Sequence, residues 1–269
     1  MKKGKFEPLL KWAGGKRWLA QSINQLIPKK YGSYYEPFLG GGAIFFYLQP
    51  SRGLISDKNA ELINLYEVVR DYPLKIKEEM EWHQSLHSKE HYYKVRSMEP
   101  KCKIKRAVRF LYLNRTCWNG LYRVNREGRF NVPIGTKQKV IFDYDDFVGM
   151  SKILKNIDLC CSDFEDVIDK AKKNDFIFVD PPYTVKHNLN GFIRYNEKIF
   201  SWLDQERLHK TLERAANRGC FIIVTNADCE SVRDLYKNAN YQQVSRKSVI
   251  AGAGHKRGIV TEAIFTFNL

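Results

Sequence analysis

The segment DFIFVDPPYTV, residues 175–185, runs from large apolar residues into an acid, two prolines and a tyrosine. Four consecutive apolar residues predict a buried strand, and the prolines end it because proline cannot donate a ladder hydrogen bond. Such a strand would carry Asp180 to the carboxyl edge of a parallel sheet, where these sheets bind ligands. The rigid Pro181 and Pro182 can direct a backbone carbonyl the same way, and Tyr183 adds an aromatic face.

Two acceptors beside an aromatic ring suit a planar base that carries an exocyclic amine. The amine would donate its two hydrogens to the Asp180 carboxylate and the Pro181 carbonyl, while the base stacks on Tyr183. The alternative is that Asp-Pro-Pro only marks a turn.

A second pattern is YYEPFLGGGAIFFYL, residues 34–48, a predicted strand that stops at three glycines before a predicted helix. Glycines let a ligand approach the backbone closely. Asp57 follows Gly40 by 17 residues, at the end of the next predicted strand, where a carboxylate can accept hydrogen bonds from two ribose hydroxyls. This spacing suits a nucleoside-binding crevice, and a plain tight turn is the alternative.

The stretch LLKWAGGKRWL, residues 9–19, contains half of a phosphate-binding P-loop pattern. Lys16 is followed by Arg17 where a P-loop has Ser or Thr, and the leading glycine is missing. The pattern therefore does not indicate an NTPase.

The chain of 269 residues has 45 Lys and Arg against 30 Asp and Glu, a formal net charge of +15, which favours a polyanionic partner. The charge is concentrated in residues 101–129, where Glu127 is the only acid, and aromatic residues are interleaved with it. We expect charges there to bind phosphates and rings to meet bases, although Phe110 and Tyr112 could instead form a domain core. The basic residues are Lys101, Lys103, Lys105, Arg106, Arg109, Arg115, Arg123, Arg126 and Arg129, and the aromatic ones are Phe110, Tyr112, Trp118, Tyr122 and Phe130.

The elements that must position these residues alternate between strands and helices. GLISD, residues 53–57, DFIFVD, residues 175–180, and CFIIVTN, residues 220–226, predict strands, and two intervening segments have helical spacing. This alternation predicts an α/β fold with a parallel sheet. The final segment, residues 248–269, predicts a last hairpin whose Gly-rich tip carries His255, Lys256 and Arg257, and we expect these to meet backbone phosphates.

Residues 74–150 interrupt the alternation and are more basic. We therefore predict a discontinuous α/β domain, residues 1–73 and 151–269, with an inserted basic domain, residues 74–150. Trp118 beside Asn119 and a glycine predicts a loop or hairpin tip.

Several classes of protein are disfavoured by the composition. No apolar run reaches the length of a membrane span, and the first residues lack the apolar core of a secretory signal, so we expect a cytoplasmic protein. The six cysteines show no zinc-finger spacing, so we expect reduced and mostly buried thiols.

In this order, the motifs resemble the Dam-like DNA adenine N6-methyltransferases of the DPPY-containing group. The resemblance covers almost the whole chain, and the five motifs together are highly specific. They are LKWAGGK at residues 10–16, EPFLGGGA at 36–43, SDKNAELI at 56–63, FLYLNR to FNVPIG at 110–135, and DPPY at 180–183.

The resemblance implies a Rossmann-like class I methyltransferase sheet with an inserted, mainly helical recognition domain. It implies S-adenosylmethionine as methyl donor and no metal. The implied cofactor-binding residues are Trp12, Lys16, Phe38, Gly40, Asp57 and Asp180, and the implied catalytic residues are Asp180, Pro181, Pro182 and Tyr183. The expected DNA-binding residues are Lys11, Trp118, Asn119, Arg123, Arg126, Lys256 and Arg257.

The expected substrate is an adenine flipped out of double-stranded DNA, with GATC as the favoured site. Arg123 is expected to read a guanine, unless it is an ordinary surface charge. An N4-cytosine or RNA-adenine methyltransferase remains an alternative, and a non-catalytic DNA-binding module is a more distant one. A cognate restriction endonuclease is a candidate partner, and we expect a monomer or a weak dimer.

Overall fold

The computed structural model describes residues 6–12, 14–125, 127–184, 200–247 and 259–269. The chain divides into two compact units, residues 1–24 with 39–162 and residues 25–38 with 163–269. The segment 74–150 lies inside the first unit, and its boundaries as a recognition domain stay a prediction.

The described chain contains both helices and strands. In chain order they are α1 (Leu19–Ser22), a 3-10 turn (Ile23–Gln25), β1 (Tyr34–Glu36), α2 (Ala43–Leu48), β2 (Gly53–Ser56), α3 (Ala60–Asp71), α4 (Pro73–Leu86), α5 (Lys89–Ser97), α6 (Lys103–Thr116), a 3-10 turn (Trp118–Gly120), α7 (Phe147–Leu154), β3 (Ile157–Cys160), α8 (Phe164–Ile168), β4 (Phe176–Val179), α9 (Trp202–Asn217), β5 (Phe221–Ala227), α10 (Glu230–Leu235), β6 (Asn240–Lys247) and β7 (Ile259–Phe267).

In the first unit, β2 and β3 pair in parallel, with Gly53 opposite Ile157. Helix α3 begins at the N-cap Asn59, whose side chain accepts hydrogen bonds from the first-turn N–H groups of Glu61 and Leu62. The apolar side of α3 is buried and packs on α6 and α7. The helical spacing of this segment in the sequence is therefore confirmed.

In the second unit, β1, β4 and β5 pair in parallel, and β7 pairs antiparallel with both β5 and β6. Helix α9 begins with a capping box formed by Ser201 and Asp204. Its buried face joins side chains of β4, β5 and β7 in one apolar core. All four side chains of β4 are buried, as a continuous apolar run predicts for a strand covered on both faces.

Among the described residues, the strands within the two units pair mostly in parallel, which confirms the Rossmann-like α/β prediction. Helices α4, α5 and α6 cover residues 73–116 almost continuously, as expected of the inserted segment. β7 pairs antiparallel with β6, so the first strand of the last hairpin lies at residues 240–247, before the predicted segment. Its predicted tip, with His255, Lys256 and Arg257, lies outside the described residues.

All six cysteines are free thiols, as predicted. The expectation that most are buried is wrong, because only Cys117 and Cys220 are buried. Within the described part of the chain, no helix is both long and apolar enough to cross a membrane.

Candidate active site

Strand β4 ends at Val179 and presents Asp180 at its carboxyl end, half-buried. The neighbouring strand holds the acid in place: the Thr225 hydroxyl donates to Asp180 Oδ1 over 2.6 Å. This bond follows from the parallel register, which pairs Val179 with Val224 and so sets the next residue of each strand side by side. The predicted delivery of a carboxylate to the sheet edge is therefore observed within the second unit.

The two prolines after Asp180 differ in their surroundings. Pro181 is buried, whereas the carbonyl of Pro182 accepts a hydrogen bond from Gln205 Nε2 at 3.4 Å. Gln205 is itself held by the Asn226 amide, which donates to its Oε1 over 3.1 Å. A buried amide pair thus supports the backbone of the DPPY segment, and the Pro181 carbonyl remains the predicted acceptor for a substrate amine.

Tyr183 is held at its far end by a buried acid. Its hydroxyl donates to Glu262 Oε2 over 2.8 Å, and the Glu262 side chain is 2% exposed. Burial, together with the nearby carboxylates of Asp180 and Glu262, raises the pKa of Tyr183 well above its ordinary value. The hydroxyl therefore stays protonated and remains a donor.

The glycine-rich turn of the first unit is organised around Asp57. Gly40 N–H donates to Asp57 Oδ2 over 3.0 Å, and Asn59 N–H donates to Asp57 Oδ1 over 2.9 Å. A carboxylate has about four acceptor sites, more than its backbone donors occupy, so the group can still accept a hydrogen bond from a ribose hydroxyl. Burial raises the pKa of Asp57, and the backbone donors partly offset that effect.

Trp12 lies against this turn. Gly40 has φ of 50°, and a Cβ atom there would lie 2.8 Å from Trp12 Cδ1. The indole also stacks on Tyr122, with ring centroids 6.1 Å apart. The first unit thus brings together three of the predicted cofactor-binding residues: Trp12, Gly40 and Asp57.

The other predicted cofactor-binding residues have different surroundings. Lys16 is buried, and its Nζ donates to the Gly14 carbonyl over 2.8 Å, so the amine belongs to the local WAGGK turn. Phe38 belongs to the second unit, where its ring stacks on Phe164 and meets the edge of Phe200. Their roles in cofactor binding stay predictions.

The predicted DNA-contacting residues of the first unit include exposed side chains. Trp118 is 54% exposed in its 3-10 turn, and Asn119 beside it is exposed with φ of 57°. The loop position predicted for Trp118 is confirmed. Arg123 is exposed, and its Nε donates to Asn131 Oδ1 over 3.1 Å. Arg126 lies outside the described residues, as do Lys256 and Arg257.

Lys11 is tied to the same region by its backbone. Its N–H donates to Asn114 Oδ1 over 3.1 Å, and its carbonyl accepts from Asn114 Nδ2 over 3.0 Å. Asn114 also donates to the Gly120 carbonyl. One buried asparagine therefore joins the LKWAGGK motif to the turn that carries Trp118.

The expectation that the interleaved aromatic residues meet bases is wrong for Phe110, Tyr112 and Phe130, which are buried. Two arginines of the same run also have internal roles. Arg115, 2% exposed, makes a two-bond ion pair with Asp145 at 2.5 and 2.7 Å, and Arg109 donates to the carbonyls of α5.

Sequence reasoning missed the polar residues behind the DPPY segment: Gln205, Thr225, Asn226 and Glu262. All four are buried, and no local motif contains them. The available signal was polarity in the apolar strands FIIVTNA and IVTEAIFTF, since a buried polar side chain requires a partner. Among the described residues, no group of three or more His, Cys, Asp or Glu side chains could hold a metal ion.

Residues 12–250 match the family model of the D12 class N6 adenine-specific DNA methyltransferases. This chain belongs to that family. It is 37% identical to the type II methyltransferase M1.LlaDCHI of Lactococcus lactis subsp. cremoris, over 96% of this chain and 94% of the relative. It is 38% identical to the type II methyltransferase M.MjaIII of Methanocaldococcus jannaschii, over 93% and 95%. The DNA adenine methylase of Haemophilus influenzae is 32% identical, over 98% and 94%. The Dam-like resemblance is thereby confirmed, and the chain is an adenine-specific DNA methyltransferase.

Proposed function

We propose that this enzyme transfers the methyl group of S-adenosylmethionine to N6 of an adenine that is flipped out of duplex DNA. The observation that carries the proposal is the Asp180 carboxylate at the end of β4, held by Thr225, with Tyr183 three residues later. Asp180 and the Pro181 carbonyl would accept the two hydrogens of N6, and the adenine ring would stack on Tyr183.

The chemical task of these acceptors is to make a poor nucleophile reactive. The lone pair of an aromatic amine is delocalised into the ring, and two well-placed acceptors favour a pyramidal nitrogen whose pair is available. The Thr225 bond fixes the carboxylate before the substrate arrives, which lowers the reorganisation needed for reaction. S-adenosylmethionine supplies an already activated sulfonium methyl group.

The residues of the first unit fit the nucleoside part of this donor. Gly40 donates its N–H to Asp57, and Asp57 retains acceptor capacity for the ribose. Trp12 offers an apolar surface next to Gly40. Lys16 and Phe38 complete the proposed set through their place in the family motifs, and we propose no metal in the reaction.

We propose that the exposed residues Trp118, Asn119 and Arg123 meet the target site, together with Lys11, whose backbone is hydrogen-bonded to Asn114. Arg123 can donate two hydrogen bonds to a guanine, and we propose GATC as the recognition sequence. Arg126, Lys256 and Arg257 are proposed as further phosphate contacts. The type II relatives make a cognate restriction endonuclease a candidate partner.

The substitution Asp180→Ala tests the catalytic assignment. We expect loss of methyl transfer by at least about 100-fold, with DNA affinity within about threefold of wild type, because one acceptor for N6 is removed. Asp234→Ala removes an exposed carboxylate of the same unit and serves as the control. Near-normal turnover of Asp180→Ala would contradict the assignment.

The substrate is tested by expressing the chain in a host without DNA methylation and mapping modified bases. We expect N6-methyladenine at one short sequence, with GATC favoured. N4-methylcytosine, or methyl groups found only in RNA, would instead support the alternative substrates. No modification together with no binding of S-adenosylmethionine in calorimetry would support the non-catalytic module.

A further inference from the structure

Glu262 is a buried acid in a strand that is otherwise apolar at this point. Its neighbours along β7, Ala263 and Ile264, are both buried, as is the strand's next residue, Phe265. Burying a carboxylate costs several kcal/mol unless hydrogen bonds or charges compensate it. Glu262 accepts a hydrogen bond from the Tyr183 hydroxyl at 2.8 Å.

Strands β5 and β7 present two polar groups on one face. Their antiparallel register places Glu262 opposite Ala227 and Ile264 opposite Thr225. Glu262 and Thr225 are therefore diagonal neighbours on that face, since side chains two residues apart in a strand point the same way. Thr225 binds Asp180 and Glu262 binds Tyr183, so each strand holds one functional side chain of the DPPY segment.

We propose that Glu262 is a positioning residue for methyl transfer, acting through the Tyr183 hydroxyl to fix the ring on which the target adenine stacks. The inference rests on the proposed role of Tyr183 as the stacking surface. A hydrogen bond at the far end of a tyrosine ring restrains rotation of the side chain about χ1. The persistently protonated phenol is consistent with this arrangement.

Two substitutions separate hydrogen bonding from simple packing. Glu262→Gln keeps an oxygen acceptor, whereas Glu262→Met keeps a similar length but provides only a weak thioether acceptor. We expect Glu262→Met to lower the single-turnover methylation rate about 10- to 100-fold, the loss expected when a buried donor is left without its acceptor, with DNA affinity within about threefold. We expect Glu262→Gln to restore the rate to within about fivefold of wild type.

A double substitution tests whether Glu262 acts through the Tyr183 hydroxyl. Tyr183→Phe keeps the ring and removes the donor, so we expect a rate loss similar to that of Glu262→Met. Adding Glu262→Met to it should then cause no further loss, because the coupled partner is already absent. Thr266→Val, a buried change on the same face of β7, is the control and should leave the rate unchanged.

The position of the ring is read directly with 2-aminopurine in place of the target adenine. Its fluorescence is quenched by stacking, so we expect brighter emission with Glu262→Met than with wild type, and intermediate or wild-type emission with Glu262→Gln. Unchanged emission and rate in a folded Glu262→Met variant would overturn the inference. If that variant does not fold by thermal melting, a wild-type rate for Tyr183→Phe would overturn it instead. Failure of the wild-type enzyme to methylate adenine in DNA would reject the proposed function itself, before any variant is compared.

Discussion

The indole of Trp12 lies so close to Gly40 that the turn has no room for a side chain: a Cβ atom at Gly40 would come within 2.8 Å of Trp12 Cδ1. The same glycine donates its N–H to Asp57. The first motif of the chain, the glycine turn and the acid at the end of β2 are therefore parts of one structure. A change at Gly40 should disturb all three.

We expect Gly40→Ala to weaken binding of S-adenosylmethionine at least about tenfold, because the indole or the turn must move and Gly40 also has φ of 50°. Isothermal calorimetry measures the affinity. Gly128→Ala is a matched control, since Gly128 has φ of 77° but nothing within 4 Å of an added Cβ. Equal losses of affinity in both variants would show that backbone strain alone explains the effect.

Arg123→Ala should relax recognition of one base pair. The side chain is exposed and bonded only to Asn131 among the contacts described, so its removal should leave the melting temperature unchanged. A bidentate arginine contributes about 1–3 kcal/mol of discrimination against a wrong base. Methylation rates at the matched site and at sites with one altered base measure that ratio. An equal fall at all sites would mean that Arg123 contributes charge and not base recognition.

Arg115→Lys should destabilise the protein without a specific effect on DNA. Arg115 makes two bonds to Asp145 and donates to the carbonyls of Leu9 and Val140, and lysine cannot reproduce this fork. We expect a loss of about 2–4 kcal/mol in the free energy of unfolding, measured by urea denaturation. Lys139→Ala breaks the exposed pair with Asp143 and should cost less than about 1 kcal/mol. Comparable losses in the two variants would contradict a structural role for Arg115.

Stability should fall on mild acidification because of His83. Burial and the neighbouring His91 lower its pKa to about 4, and its ring stacks on Tyr112. The unfolded chain, with a histidine pKa near 6.5, binds more protons between these values, so folding weakens as pH falls from about 6.5 to about 4. The loss attributable to His83 is about 2 kcal/mol at pH 5 relative to pH 8. In His83→Phe, the difference in unfolding free energy between the two pH values should shrink by about that amount, and an unchanged difference would contradict the assignment.

The sequence predicted the features that are local in the chain. The DPPY segment follows its strand directly, and the helical spacing of α3 and the last hairpin are also local patterns. Thr225 and Glu262 could not be found in the same way, because they lie 45 and 79 residues from the side chains they bind. Only the strand register brings them to that site.

The basic and aromatic run was misread for a different physical reason. Helix α6 is buried over most of its surface, so its rings fill the interior instead of meeting solvent. A sequence with arginines between aromatics gives the same pattern whether the guanidinium groups bind phosphates or internal acceptors. Arg115 binds internal acceptors, and the amino-acid sequence alone does not distinguish it from the exposed Arg123.

The internal arginines also change what a salt titration of this enzyme would report. DNA binding releases about 0.9 counterions for each phosphate that a protein cation neutralises, so the slope of affinity against salt counts cations at the interface. Arg115 is engaged by Asp145 and Arg109 by backbone carbonyls, so neither is available to replace a counterion. The slope should therefore be shallower than the nine basic residues between 101 and 129 suggest.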